Sequence, residues 1–257
     1  MLNDSTQSPH EFVSMNELTL GIPAQISRLK IQLSRQGFAL LVLDDQSLTQ
    51  QLKVGLDEAR ALKGFRFPPI NVSNITYSAA QRETFKALYS IASRCFEQLT
   101  DAHVGVEQPE LFSSSPNEPF PTSHPFHPTF FNLFNYNHGA LNVHQDRGLI
   151  TVIHISPSTQ LSDKYSELWV EGSDQMWRSA DEATRQAQVL GLDTVILLVG
   201  EAGESTVGCP AAQHCVRVDP RGEYISHSHH QPDPATIAHN NRLSAALILQ
   251  SKQAESM

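Results

Sequence analysis

Read for its hydrophobic spacing, the chain divides into a helical first part and a strand-rich second part. Ile22, Ile26, Leu29 and Leu33 recur at three- and four-residue intervals, as one face of a helix does, and Gly37 supplies a stop just beyond them. Residues 38–43, FALLVL, form a short unbroken apolar run, which predicts a buried strand. A second helix is predicted from Ser47, with Leu48, Leu52, Leu56, Ala59 and Leu62 inward and Gly64 near its end. The clearest helix covers 79–99, where Phe85, Leu88, Tyr89, Ala92, Cys95, Phe96 and Leu99 make one apolar stripe. Such a stripe is core, and this helix is expected to back a sheet. The first 21 residues show no period and are expected to lie loosely on the surface. Residues 65–77 read as an irregular connection. Residues 100–128, rich in Pro, Ser and Asn, read as a long loop in which His124 and His127 are solvated.

From residue 130 the pattern changes to β-prone runs. Two of them are joined by the turn-like Asn137-His138-Gly139, and residues 193–200, DTVILLVG, are continuous enough for a buried strand. Residues 213–218 alternate and carry His214, and RLSAALILQ, from Arg242, is the last strand. Residues 179–190, charged and Ala-rich, are expected to form an inserted, solvated helix.

Alternation along the strand puts His144 and Asp146 on one side and Gln145 on the other. An imidazole beside a carboxylate supplies two of the three ligands of a 2-His-1-carboxylate site, which leaves positions open on non-haem Fe(II). In a chain with 12 histidines the triplet alone is a weak signal; a strand histidine satisfied by a neighbouring carboxylate reads the same way. Arg242 and Ser244 share a face of the last strand, with Leu243, Ala245, Leu247 and Leu249 on the other. A planar guanidinium with a hydroxyl beside it suits capture of a carboxylate.

The order of these features resembles that of the Fe(II)/2-oxoglutarate-dependent oxygenases, specifically the isopenicillin N synthase-like branch. HQDRGLITVIH is similar to the family's strand around the first two ligands, and LLVGEAGESTVGCPAAQHCVR to its approach to the distal one. The resemblance covers residues 130–250 well and the N-terminal third loosely. It implies an α+β chain: a double-stranded β-helix, or jelly-roll, over 129–251, with a helix-rich region and loop over 1–128 packed on it as part of the same globule. It also implies Fe(II) on His144, Asp146 and His214, and 2-oxoglutarate held by Arg242 and Ser244, with Asn135 or Tyr136 as a further contact; both of that pair cannot point inward. The Tyr-Pro-Pro that usually follows in the family is missing here. Residues 168–177 look like the family's hairpin. His227, His229, His230 and His239 are alternative ligands; His214 is preferred over His230 for its strand-like flanks.

The implied reaction consumes O2 and 2-oxoglutarate, releases succinate and CO2, and oxidises a small organic metabolite. Asp146 at the carboxylate position favours hydroxylation, desaturation or cyclisation over halogenation. A 2-oxoglutarate-independent iron oxidase of the same fold and a non-catalytic jelly-roll binding protein are the alternatives.

Composition narrows the partners. At 257 residues, 40% of them hydrophobic and 15 of them proline, the chain can bury a sizeable core. A net charge of −9 argues against nucleic acid or an anionic membrane as partner. Cys95, Cys209 and Cys215 have no CxxC spacing and suit a reducing compartment. With no membrane-length apolar run and no signal-peptide pattern, a cytoplasmic location is expected. The chain ends soon after its last strand, which favours a monomer.

Overall fold

The computed structural model describes residues 12–67, 77–100, 129–136, 140–156, 167–217 and 242–250. Eleven strands and five α-helices lie among them: β1 (Val13–Ser14), α1 (Met15–Thr19), α2 (Pro23–Gln36), β2 (Phe38–Val42), α3 (Gln46–Arg60), β3 (Arg66–Phe67), α4 (Ala79–Thr100), β4 (Thr129–Asn135), β5 (Leu141–His144), β6 (Ile150–Ser156), β7 (Glu167–Glu171), β8 (Trp177–Ser179), α5 (Ala180–Val189), β9 (Thr194–Val199), β10 (His214–Arg217) and β11 (Leu243–Leu249). A 3-10 turn over Glu201–Gly203 and a turn of π-helix over Glu204–Gly208 join β9 to the segment before β10.

The strands make two sheets, a larger one in the order β1-β2-β9-β6-β11-β4-β3 and a smaller one in the order β5-β10-β7-β8. From β4 to β11 the chain places four strands in each sheet, passing back and forth between them, which is a jelly-roll. Among the described residues the two sheets face each other as a sandwich and do not close into a barrel. The larger sheet is covered on both sides. On its outer side, β4, β6, β9 and β11 contribute Phe131, Leu133, Val152, Val195, Leu197, Ala245 and Leu247 to a core shared with α1 to α4. On its inner side, Phe134, Tyr136, Ile153, Ile155, Ile196, Leu198 and Ala246 pack with Leu168, Val170 and Val216 of the smaller sheet. Burial on both faces explains why β2 and β9 read as unbroken apolar runs instead of alternating ones.

Local chemistry fixes the helix ends. Asp45 caps α3 by accepting from Ser47 N at 2.8 Å and Leu48 N at 3.4 Å. Gly37 ends α2 in the left-handed region, φ 79°, and a Cβ there would also stand 2.9 Å from Val170 Cγ1.

Two expectations change. Residues 12–21 are not loose: β1 pairs in parallel with β2, and Val13, Met15 and Leu18 are buried, while residues 1–11 lie outside the described residues. β1 has two residues and α1 five, too few to show a period. The helix over 179–190 is not solvated, because α5 turns Ala180, Asp181, Ala183, Thr184 and Ala187 inward. Small residues make that face, so it reads as polar when hydrophobicity alone is scored. β1, β2 and β3, which precede residue 129, are strands of the larger sheet. Of the loop predicted over 100–128, Thr100 ends α4 and the remainder, with His124 and His127, lies outside the described residues, as do the predicted turn at 137–139 and His227, His229, His230 and His239. No described helix is long and apolar enough to cross a membrane.

Candidate metal centre

His144 ends β5 and His214 begins β10, and the two are paired across the antiparallel ladder. That pairing brings the rings to a centroid separation of 4.3 Å. Asp146 follows two residues after His144, its carboxylate 3.8 Å from His144 Nε2 through Oδ1 and 3.6 Å from His214 Nε2 through Oδ2. One donor atom from each of the three lies within 4.8 Å of the others. Three donors about 2.1 Å from a shared ion and on one side of it stand about 3.0 Å apart, so the set closes on an ion with shifts of about an ångström.

The hydrogen bonds around the triad prepare it for this. His144 Nδ1 lies 2.7 Å from Asn142 O, and His214 Nδ1 lies 3.1 Å from Ala212 O. A carbonyl can only accept, so each Nδ1 carries the proton and each Nε2 keeps its lone pair toward the gap. Burial lowers the pKa of His214; the Asp146 charge opposes that shift and His144 reinforces it. The neutral, ligating form is thus favoured. Asp146 is held by Thr151, the second residue of β6, whose hydroxyl donates to Oδ2 at 2.6 Å. Gln145 turns away from the triad, as alternation requires, and ties the strand to Ala211 O at 3.1 Å. The side chain of His144 is 38% exposed while that of His214 is 5% exposed, so the centre opens to solvent on the β5 side.

Residues 146–149 are clamped from the β9 end. Glu201 N, Ala202 N and Gly200 N donate to the carbonyls of Asp146, Gly148 and Leu149 at 2.8, 3.1 and 3.0 Å. Glycine is required for that approach: a Cβ on Gly200 would meet Gly148 O and stand 2.8 Å from Asp146 O, and one on Gly203 would meet Leu149 O.

The second cluster lies deeper. Arg242, Ser244 and Tyr136 are all buried, and Arg242 Cζ sits 4.5 Å from the Tyr136 ring centroid. Tyr136 is hydrogen-bonded with both Ser244 and Arg242. Asn135, one residue away, is on the other side of β4; its Nδ2 donates to Arg60 O at 3.4 Å in the helix layer. Alternation along β4 therefore decides between the two, and it turns Asn135 away from the site.

Sequence reasoning missed Asp181. Its Oδ1 accepts from Arg242 Nε at 2.9 Å and its Oδ2 from Leu168 N at 2.7 Å. Burial alone would depress the Arg242 pKa, but Asp181 and Tyr136 together more than offset it and the net shift is upward. Arg242 Nη1 is buried without a partner among the described residues. Leu168 pairs with Val216, two residues along β10 from His214, so the ion pair is tied to the ladder about 7 Å from that ligand. The available signal was the Ala180, Ala183, Thr184, Ala187 stripe, which marks the neighbouring Asp181 as inward. Thr151 and the glycines at 200 and 203 carry no signal that separates them from ordinary strand and turn residues.

No protein-family model matches the chain, and no curated protein matches it by sequence. Solved structures do. A protein from Caulobacter crescentus assigned to the 2OG-Fe(II) oxygenase family superposes with a TM-score of 0.50 at 12% identity, over 93% of this chain and 86% of that one. A prolyl hydroxylase from Trichoplax adhaerens, in complex with a peptide of hypoxia inducible factor, gives 0.49 at 12% identity, over 93% and 92%. Dioxygenase for auxin oxidation 1 from Arabidopsis thaliana, in complex with 2-oxoglutarate, gives 0.47 at 13% identity, over 96% and 95%. The likeness to the Caulobacter protein is one of fold, and with the sheet order above it establishes this chain as a jelly-roll of the architecture found in a 2OG-Fe(II) oxygenase family protein.

Proposed function

We propose that the protein is a non-haem Fe(II)- and 2-oxoglutarate-dependent oxygenase that oxidises a small organic molecule. The observation that carries this reading is the convergence of His144, Asp146 and His214, with both Nε2 lone pairs directed into one gap at the mouth of a jelly-roll. The donor set fits the metal: two imidazoles and a carboxylate on one side leave the remaining positions for co-substrate and oxygen. When bound, the iron supplies the redox chemistry that couples oxidative decarboxylation of the 2-oxo acid to oxidation of a C–H bond.

The chain's own residues do the rest. The carbonyls of Asn142 and Ala212 fix the tautomers of the two histidines. Thr151 holds one oxygen of Asp146 and so orients the other. Arg242, through its unmatched Nη1, and the hydroxyls of Tyr136 and Ser244 form the polar end of a pocket for the tail of the 2-oxo acid. Phe134, Ile153 and Ile155 exclude water between the two ends. The organic substrate approaches from the exposed His144 side.

The test is spectroscopic. Under anaerobic conditions Fe(II) with 2-oxoglutarate gives a visible charge-transfer band in the wild type, and His214→Ala abolishes it. Iron that binds without a 2-oxoglutarate-dependent band moves the reading to an oxidase independent of 2-oxoglutarate. A chain that holds no iron is a binding protein of the same fold.

A further inference from the structure

Arg242 is matched before any ligand arrives. Its Nε donates to Asp181 Oδ1 at 2.9 Å, and both side chains are 1% exposed. The other oxygen of Asp181 accepts from Leu168 N at 2.7 Å, so the carboxylate cannot swing aside without stranding a buried backbone donor. What is left of the guanidinium is Nη1, buried and unsatisfied among the described residues. The polar end of the pocket therefore offers a hydrogen-bond donor but little net charge. A tail that brings its own carboxylate sets two anions around one cation in a region stripped of water, whereas a neutral carbonyl satisfies Nη1 without that repulsion.

We propose that Asp181 is a specificity-determining residue: as the resident counter-ion of Arg242 it relieves the co-substrate of the need for an anionic tail. The site then takes 2-oxo acids of 2-oxoglutarate length that end in either a carboxylate or a neutral carbonyl. The inference rests on the 2-oxo acid chemistry proposed above and goes beyond it by assigning the class of acid.

The experiment is calorimetric titration of the anaerobic Fe(II)-loaded protein with 2-oxoglutarate and with its 5-methyl ester, which keeps the keto-acid end and the distal carbonyl but removes the distal charge. Wild type binds the ester within about thirtyfold of 2-oxoglutarate, and Asp181→Asn shifts the preference toward 2-oxoglutarate by about tenfold or more, because the uncovered guanidinium now seeks an anion. Fe(II) affinity stays unchanged in the variant. Since the ratio of two ligands on one protein is read, a general loosening of the fold does not imitate the result. A ratio that is unchanged in Asp181→Asn, or that moves toward the ester, overturns the proposal. Should that variant fail to fold, a wild-type preference for 2-oxoglutarate above about thirtyfold overturns it, and one below supports it. Wild type that binds neither acid overturns the proposed function as well; wild type that binds 2-oxoglutarate with no shift in the variant sinks the role of Asp181 alone.

Discussion

Replacing Thr151 with valine removes one hydroxyl at nearly constant shape, and the consequence is read at the metal. That hydroxyl donates at 2.6 Å to Asp146 Oδ2, and Thr151 itself is 2% exposed. A hydrogen bond to a charged group contributes about 1.5–3 kcal/mol. Loss of an outer partner of a metal ligand typically costs about 10–100-fold in affinity, or ~1.4–2.7 kcal/mol, so the two estimates agree. Without its anchor the carboxylate, only 12% exposed, is free to rotate out of line with the two Nε2 atoms. Fe(II) titration under anaerobic conditions should therefore show Thr151→Val weaker by about 10–100-fold, with Thr151→Ser, which keeps the hydroxyl, close to wild type. Valine binding Fe(II) within about threefold of wild type would refute the claim that Thr151 orients the ligand.

Two further outcomes follow from residues that are not themselves ligands. His154 is buried on β6, where burial holds its pKa down to about 4 against an ordinary 6.5, only partly offset by the charge of Asp193 and a hydrogen bond to the Leu52 backbone. A depressed histidine pKa means that the unfolded chain binds the extra proton first, so stability falls as pH drops from 6.5 toward 4, by about 3 kcal/mol in full. Urea denaturation at pH 7 and 4.5 should show a loss in wild type about 2 kcal/mol larger than in His154→Gln, and equal losses would contradict the assignment. Gly200→Ala forces a Cβ against the carbonyls of Gly148 and Asp146. It should cost about 1–3 kcal/mol of stability by thermal denaturation and weaken Fe(II) binding together with it, whereas Gly191→Ala, at a turn with open space around it, should leave Fe(II) binding intact.

Much of the fold is legible because burial writes itself into the sequence in two ways. Helices with one inward face, such as α4, show a 3.6-residue stripe, and strands covered on both sides, such as β2 and β9, show unbroken apolar runs. The site is legible where strand alternation fixes direction: His144 and Asp146 had to share a side, and only one of Asn135 and Tyr136 could face inward. What period cannot reveal is the identity of a partner across the sandwich. Asp181 stands far from Arg242 in sequence, on a helix whose inward face is made of alanine and threonine, and no local pattern announces an ion pair there. Likewise β1 and β3, two residues each, are too short to carry a period.

The central claim is that three side chains from β5, the turn after it and β10 share one ion. Equilibrium dialysis of anaerobic Fe(II) against the wild type and against His144→Ala, Asp146→Ala and His214→Ala tests it directly. One ion per wild-type chain, with retention lost in each of the three variants while all remain folded by circular dichroism, is the predicted result. Full retention of iron in His214→Ala would contradict it, because the metal would then depend on a ligand other than the one that the β5/β10 ladder brings into place.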